Sequence, residues 1–394
     1  MEKETLEITA LAYGGKAVGR RSNGKVCFLP GALPGEKVLL SITEEKKNYS
    51  LGTLLEVLTP AKERIESPCP YGNCPSCPYN CMEYSLEWEW KKKQFASFLA
   101  KLKNIQPQEV KEGIPAPERL HYRNKIKLAL EKDASGRVLA GYRGEDNRTL
   151  IPIEKCLLAE KAILQSMEEK PWGAPSFRKE KSITFRHTLK DGVKLLREGE
   201  KPFPLTESLG ELGSFLTGSH SFFQINRVMA EKLAKEFLAI LARISPSQMV
   251  ELYCGCGVFS SLAAEKFSLS TVGIELDKSN TALAKENALL HNAAGKCRFI
   301  CGDAATELEK LQKGKLPPGT LLLVDPPRTG LDQKGIRMIR KTGADFLCYI
   351  SCGAPTLMRD LTALQDLYCW NETRVLDLFP GTAHFESISL LSRI

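Results

Sequence analysis

Cys352 follows Tyr349-Ile350-Ser351, a run with strand character, and precedes Gly353. That is where an open parallel sheet presents side chains to a bound ligand. A cysteine alone is more often a small buried hydrophobe than a nucleophile, so its neighbours decide. In Val324-Asp325-Pro326-Pro327-Arg328 an acid stands before two prolines at another strand end, where a carboxylate and backbone carbonyls are held over a pocket fit for a flipped base. Enzymes that methylate exocyclic amines usually carry an aromatic ring after the prolines; Arg328 stands there instead, which disfavours that reaction. His384-Phe385-Glu386, just after Pro380-Gly381-Thr382, supplies a second carboxylate able to reach the same edge. These parts fit one chemistry. C5 of uracil is a poor nucleophile, but a thiolate adding to C6 makes an enolate whose C5 can attack an activated methyl group, after which a base removes the C5 proton and the thiolate leaves. Cys352 fits the thiolate, Glu386 the base and Asp325 the group that holds the pyrimidine edge.

The methyl donor needs a seat. Glu251-Leu252-Tyr253-Cys254-Gly255-Cys256-Gly257-Val258-Phe259-Ser260 reads as a strand, a tight glycine turn at Gly255 and a helix. About 20 residues later Glu275 closes the next strand, where a carboxylate can accept both hydroxyls of a ribose. Asp303, after the third strand, is placed for an adenine amine. A dinucleotide site would want a third glycine where Ser260 stands, to seat a pyrophosphate. S-adenosylmethionine has no pyrophosphate, and it is the expected cofactor.

Positioning these residues takes an α/β fold. From residue 248 onward β-rich runs at 249–253, 271–275, 297–300, 320–325 and 346–351 alternate with intervals of helical length, and two further runs, 374–378 and 384–391, suggest a terminal antiparallel hairpin. The expectation is a class I (Rossmann-like) methyltransferase sheet over 241–394. Before it, 1–60 reads as short strands with Gly and Pro punctuation, a small OB-like β-barrel whose Lys16, Arg20, Arg21, Lys46, Lys47 and Tyr49 suit an oligonucleotide. Residues 61–240 read as a central α+β domain with helices at 82–102 and 226–241 and strands at 124–130, 182–188 and 193–197.

Composition sets the bounds. A chain of 394 residues exceeds one ordinary core. No apolar run approaches the roughly 20 residues that span a bilayer, so no membrane partner is expected. The N-terminus is charged with no apolar stretch behind it, so a cytoplasmic, monomeric protein with reduced thiols is expected, and the 13 cysteines become candidates for ligands or nucleophiles. The net charge is +8, and 61–150 holds 16 basic against 12 acidic residues, which permits a polyanion such as RNA as partner. A DNA cytosine-C5 methyltransferase shares the thiolate chemistry but usually sets its nucleophile after a proline, where this chain has Ser351. A catalytically silent RNA-binding protein would have no need of Cys352 and Glu386 together.

On these motifs the chain resembles the RNA uracil-C5 methyltransferases that form 5-methyluridine in 23S ribosomal RNA, with the tRNA T-loop enzyme a close relative. Ala12-Tyr13-Gly14-Gly15 through Ala32-Leu33-Pro34-Gly35-Glu36 is similar to that family's TRAM domain. Tyr122-Arg123-Asn124-Lys125 and Ser221-Phe222-Phe223-Gln224-Ile225-Asn226 are similar to its central motifs. The resemblance implies that Gln224, Tyr253, Glu275, Asp303 and Asp325 line the cofactor pocket, with Cys352 as nucleophile and Glu386 as base. It further implies a 4Fe-4S cluster on Cys69, Cys74, Cys77 and Cys156, since Cys69-x4-Cys74-x2-Cys77 resembles the start of the cluster site in the ribosomal RNA branch. A zinc ion on Cys69, Cys74, Cys77 and Cys81 is the alternative. The implied substrate is 23S ribosomal RNA, with tRNA the second possibility.

Overall fold

The computed structural model describes every residue except Met1, Asn73 and 312–314. Five strands, Lys3–Leu11, Ala17–Arg20, Val26–Leu29, Lys37–Glu45 and Tyr49–Thr59, close into a barrel. Alternating residues of each strand point inward, so Leu6, Ile8, Cys27, Leu29, Val38 and Leu40 form its core. Closure comes from the first strand, which pairs with Ala17–Arg20 on one side and Lys37–Glu45 on the other. The short Ala17–Arg20, interrupted by Gly19, was not legible as a strand.

A second, five-stranded antiparallel sheet runs in the order Gly192–Arg197, Ser182–Thr188, Lys125–Lys132, Val138–Arg143, Leu150–Pro152. It has its own core around Ile126, Leu128, Ile183, Phe185 and Trp172.

The C-terminal sheet has eight strands. Five parallel ones lie in the order Cys297–Cys301, Ser270–Glu275, Gln248–Leu252, Thr320–Val324, Phe346–Ser351, followed by Glu386–Arg393, antiparallel to them, and Tyr368–Leu376, which pairs antiparallel with Glu386–Arg393. All five side chains of Thr320–Val324 are buried, as a central strand covered on both faces requires. The expected terminal hairpin is present with shifted limits. Its first strand begins at Tyr368, because Tyr368 and Trp370 bury their rings. Its second begins at Glu386, because the His384 N–H is taken by the Thr382 hydroxyl (3.2 Å).

Residues expected in the middle of the chain also buttress this sheet. Helix Arg227–Ile244, capped by Asn226 accepting from the Met229 N–H (3.2 Å), lays Phe237, Ile240 and Leu241 on Leu321, Leu323 and Ile350. Helix Tyr84–Leu99 buries Trp88, Phe95 and Leu99 with Leu357, Leu361 and Phe385. Glu109–Val110 adds the eighth strand beside Tyr368–Leu376. The sheet's covering layers thus draw on residues well before 241.

Candidate active site

Register brings the reacting residues together. Strand Phe346–Ser351 pairs antiparallel with Glu386–Arg393 from Phe346↔Ser392 to Ser351↔Ser387, so Cys352 and Glu386 are the residues that adjoin the last pair of the ladder. On the other flank Thr320–Val324 pairs parallel with Phe346–Ser351 up to Val324↔Tyr349, which brings Asp325 to the same edge. The carboxyl of Glu386 is buried and its Oε2 has no hydrogen-bond partner.

Electrostatics couple the three. Burial, then Asp325, push the Glu386 carboxyl well above the usual carboxylate range, while Arg328 opposes them. Burial pushes Asp325 up to about 7. The Cys352 thiol is pushed up to about 11 by burial and then by Glu386, with Arg328 pulling it down. His384, half-buried beside them, is lowered to about 4 by burial and then by Arg328, which leaves it neutral.

The cofactor cleft opens at the strand ends and is lined by Phe223, Gln224, Tyr253, Gly255, Val258 and Asp325 among others. Gly257, at φ +75°, turns the chain where a Cβ would come within 2.8 Å of Phe299 and 2.9 Å of Ala284. At Gly255 a Cβ would meet nothing within 4 Å, so the backbone there faces open space. Tyr253 adopts φ +64°, a left-handed conformation rare for a bulky residue; such strain gathers at functional sites. Glu275 is half-buried at the end of its strand and accepts from the N–H groups of Gly255 (3.0 Å) and Asp277 (2.9 Å). Asp303 is exposed and outside the lining of this cleft; it caps the following helix through the Thr306 N–H (2.9 Å) and pairs with Lys334 (3.3 Å). Its charge nonetheless reaches Tyr253, whose hydroxyl is pushed up to about 12 by burial, then by Asp332 and Asp303.

Two residues at the site were not singled out for it in the sequence. Glu251 lines the cleft, accepts from the Ser260 N–H (3.0 Å) and hydroxyl, and is pushed up to about 8 by burial; an acid in a strand otherwise apolar was its signal. Tyr13, in the turn after the first barrel strand, packs edge-on against Phe98 (5.3 Å) and Phe385 (6.1 Å). Burial and then Cys352 hold the Tyr13 hydroxyl proton more firmly. No local pattern tells that a barrel turn reaches the sheet edge.

Cys69, Cys74, Cys77 and Cys156 line one separate pocket with Arg123 and Tyr142. Burial pushes Cys77 up to about 12 and raises Cys69. Cys81 is not with them: it packs in the barrel core with its Sγ 3.8 Å from the Gly31 carbonyl, so the local four-cysteine set is not brought together. Among the described residues no group of three or more His, Cys, Asp or Glu is gathered closely enough to hold a metal.

Comparison with known proteins follows the same lines. Residues 214–394 match the tRNA (Uracil-5-)-methyltransferase family and residues 2–55 the TRAM domain. An uncharacterized RNA methyltransferase of Gloeobacter violaceus is 27% identical over 447 residues, covering 99% of this chain and 96% of that protein. A tRNA (uracil(54)-C(5))-methyltransferase of Schizosaccharomyces pombe is 28% identical over 416 residues, covering 99% and 78%. The crystal structure of the Pyrococcus abyssi tRNA (uracil-54, C5)-methyltransferase in complex with S-adenosyl-L-homocysteine superposes with a TM-score of 0.75 at 19% identity, over 98% of this chain and 99% of that one. It shares the fold.

Proposed function

We propose, from the match of residues 214–394 to the tRNA (Uracil-5-)-methyltransferase family and of residues 2–55 to the TRAM domain, that the chain methylates C5 of a uridine in a folded RNA through a covalent bond between Cys352 and C6 of the base. The observation that carries the reading is that Cys352 and Glu386 both adjoin the last pair of one ladder, Ser351↔Ser387, with Asp325 at the end of the neighbouring strand. S-adenosylmethionine would be held by Gln224, Tyr253, Gly255 and Asp325, with Glu275 behind the Gly255 turn, and would supply an electrophilic methyl group on a sulfonium. The chain's residues do the rest. Asp325, pushed up to about 7 by burial, is protonated in part at neutral pH and can then donate a hydrogen bond to a uracil carbonyl as charge develops there. Arg328 favours the Cys352 thiolate that adds to C6. The unpartnered Glu386 Oε2, in the ionised form that Arg328 favours, then accepts the C5 proton, and Cys352 is eliminated. Every group named comes from one chain, so a monomer suffices.

Two RNAs fit. Cys69, Cys74, Cys77 and Cys156 line one pocket without being gathered closely enough to hold a metal; as thiols they would be the donors of a 4Fe-4S cluster like that of the ribosomal branch, which is the support for 23S ribosomal RNA. The Schizosaccharomyces pombe relative supports a tRNA uridine. Cys156 rather than Cys81 lining that pocket favours the cluster over a local zinc site. Mapping 5-methyluridine in total RNA from cells with and without this protein decides between them. Loss of one 5-methyluridine in 23S ribosomal RNA is expected; loss at a tRNA position selects the second substrate, and no loss in either overturns the reading.

A further inference from the structure

Loop 377–385 connects Tyr368–Leu376 to Glu386–Arg393 and delivers Glu386 to the site. Helix Tyr84–Leu99 meets this loop with Glu87, Lys91 and Phe95, four residues apart and therefore on one face. Glu87, Lys91 and Asp377 have fully buried side chains. The Lys91 ammonium donates to Glu87 Oε1 (2.8 Å), Asp377 Oδ1 (2.8 Å) and the Phe379 carbonyl (3.2 Å), which uses all three of its protons. Glu87 Oε1 also accepts from the Gly381 N–H (2.6 Å), and the Tyr84 hydroxyl donates to Asp377 Oδ2 (2.9 Å). Arg119, 3.3 Å from Glu87 Oε2, supplies the second positive charge.

The opposite side of the loop is held as well. Tyr122 donates to the Pro380 carbonyl (2.9 Å) and Asn226 to the Leu378 carbonyl (3.2 Å). Backbone groups of four consecutive residues, 378–381, are thus each fixed by a side chain from outside the loop. At the far end the Phe385 ring is wedged between Phe95 (6.0 Å) and Tyr13 (6.1 Å). Helix docking alone could be achieved by apolar contacts, since buried ion pairs add little net stability. What the ion cluster adds is a single geometry.

We infer that Lys91, with Glu87 and Asp377, is a positioning device for Glu386: it fixes the loop so that the carboxylate meets the C5 proton. The inference rests on the proposed role of Glu386. Lys91→Met leaves two buried carboxylates and risks the fold, so Glu87→Gln, which keeps the shape and an acceptor oxygen, is made beside it, with Glu386→Gln as reference. The RNA probe is whichever of an unmodified tRNA transcript and an unmodified 23S ribosomal RNA transcript the parent protein methylates.

Amide hydrogen exchange of 377–386 in the free protein should speed up in the clamp variants while the strand Thr320–Val324 keeps its protection. Turnover should fall about tenfold to a hundredfold at unchanged KM for RNA, the scale of a misplaced reacting group. A covalent protein–RNA adduct should build up, as in Glu386→Gln. Exchange unchanged in 377–386 overturns the clamp. Faster exchange with turnover and adduct as in the parent overturns its link to Glu386. Normal turnover in Glu386→Gln overturns the reading of Glu386 itself, and the link with it, leaving the exchange result to judge the clamp alone.

Discussion

Glu386 opposes the ionisation of Cys352, Asp325 opposes that of Glu386, and Arg328 favours the ionised form of both Cys352 and Glu386. Because the thiol is pushed up to about 11, its reactivity in the free protein should still be climbing at pH 9. Replacing Glu386 by Gln removes a nearby negative charge and should move the pH profile of Cys352 alkylation by iodoacetamide to lower pH. Arg328→Ala should move it to higher pH. Peptide mass spectrometry of the alkylated cysteine reads both shifts, and a profile indifferent to either change would separate these side chains from Cys352. The separate roles of addition and release are tested by Glu386→Gln on RNA: methyl transfer followed by a stalled adduct on a denaturing gel is expected, whereas lost activity with no adduct would make Glu386 a binding residue. At this scale the sequence was informative, since Cys352, Asp325 and Glu386 were each legible from strand ends. What it lacked was the register that ends at Ser351↔Ser387 and brings Cys352 and Glu386 to one end of the ladder, because register is a property of pairing and not of either segment alone.

Gly255 and Gly257 lie in one turn and should respond differently to the same change. Gly257→Ala forces a Cβ to within 3 Å of Phe299 and Ala284 at φ +75° and should cost about 1–3 kcal/mol in a denaturant titration. Gly255→Ala adds a Cβ into open space at φ +53°, so its stability cost should be near 1 kcal/mol. Its main effect should be weaker binding of S-adenosylhomocysteine by calorimetry, because the added methyl projects where the ligand must lie. Equal stability losses with intact binding in both would contradict the placement of the cleft. Among elements, the parallel strands were readable as β-rich runs such as Leu321-Leu322-Leu323-Val324 spaced by helix-length intervals. Ala17–Arg20 and Glu109–Val110 were not, because strands of four and two residues carry no period.

The chain before the catalytic sheet does more than precede it. The barrel turn at Tyr13, the helix Tyr84–Leu99 and the cysteine pocket all meet loop 377–385; Gly381 lines that pocket while its N–H is held by Glu87. Such long-range docking leaves no local trace, which is why the central segment read as one domain. If Cys156 completes a cluster with Cys69, Cys74 and Cys77, protein purified without oxygen should be brown and carry about four iron atoms per chain. Cys156→Ala should lose them and Cys81→Ala should keep them. A colourless protein with one zinc, sensitive only to Cys81→Ala, would reverse the assignment. The account stands or falls on the covalent step. RNA carrying 5-fluorouridine at the target position cannot release a C5 proton, so with S-adenosylmethionine it should arrest on the protein, and digestion followed by mass spectrometry should find one methylated nucleotide attached to the peptide containing Cys352. Methylated RNA with no such peptide, or the nucleotide on another residue, would contradict it.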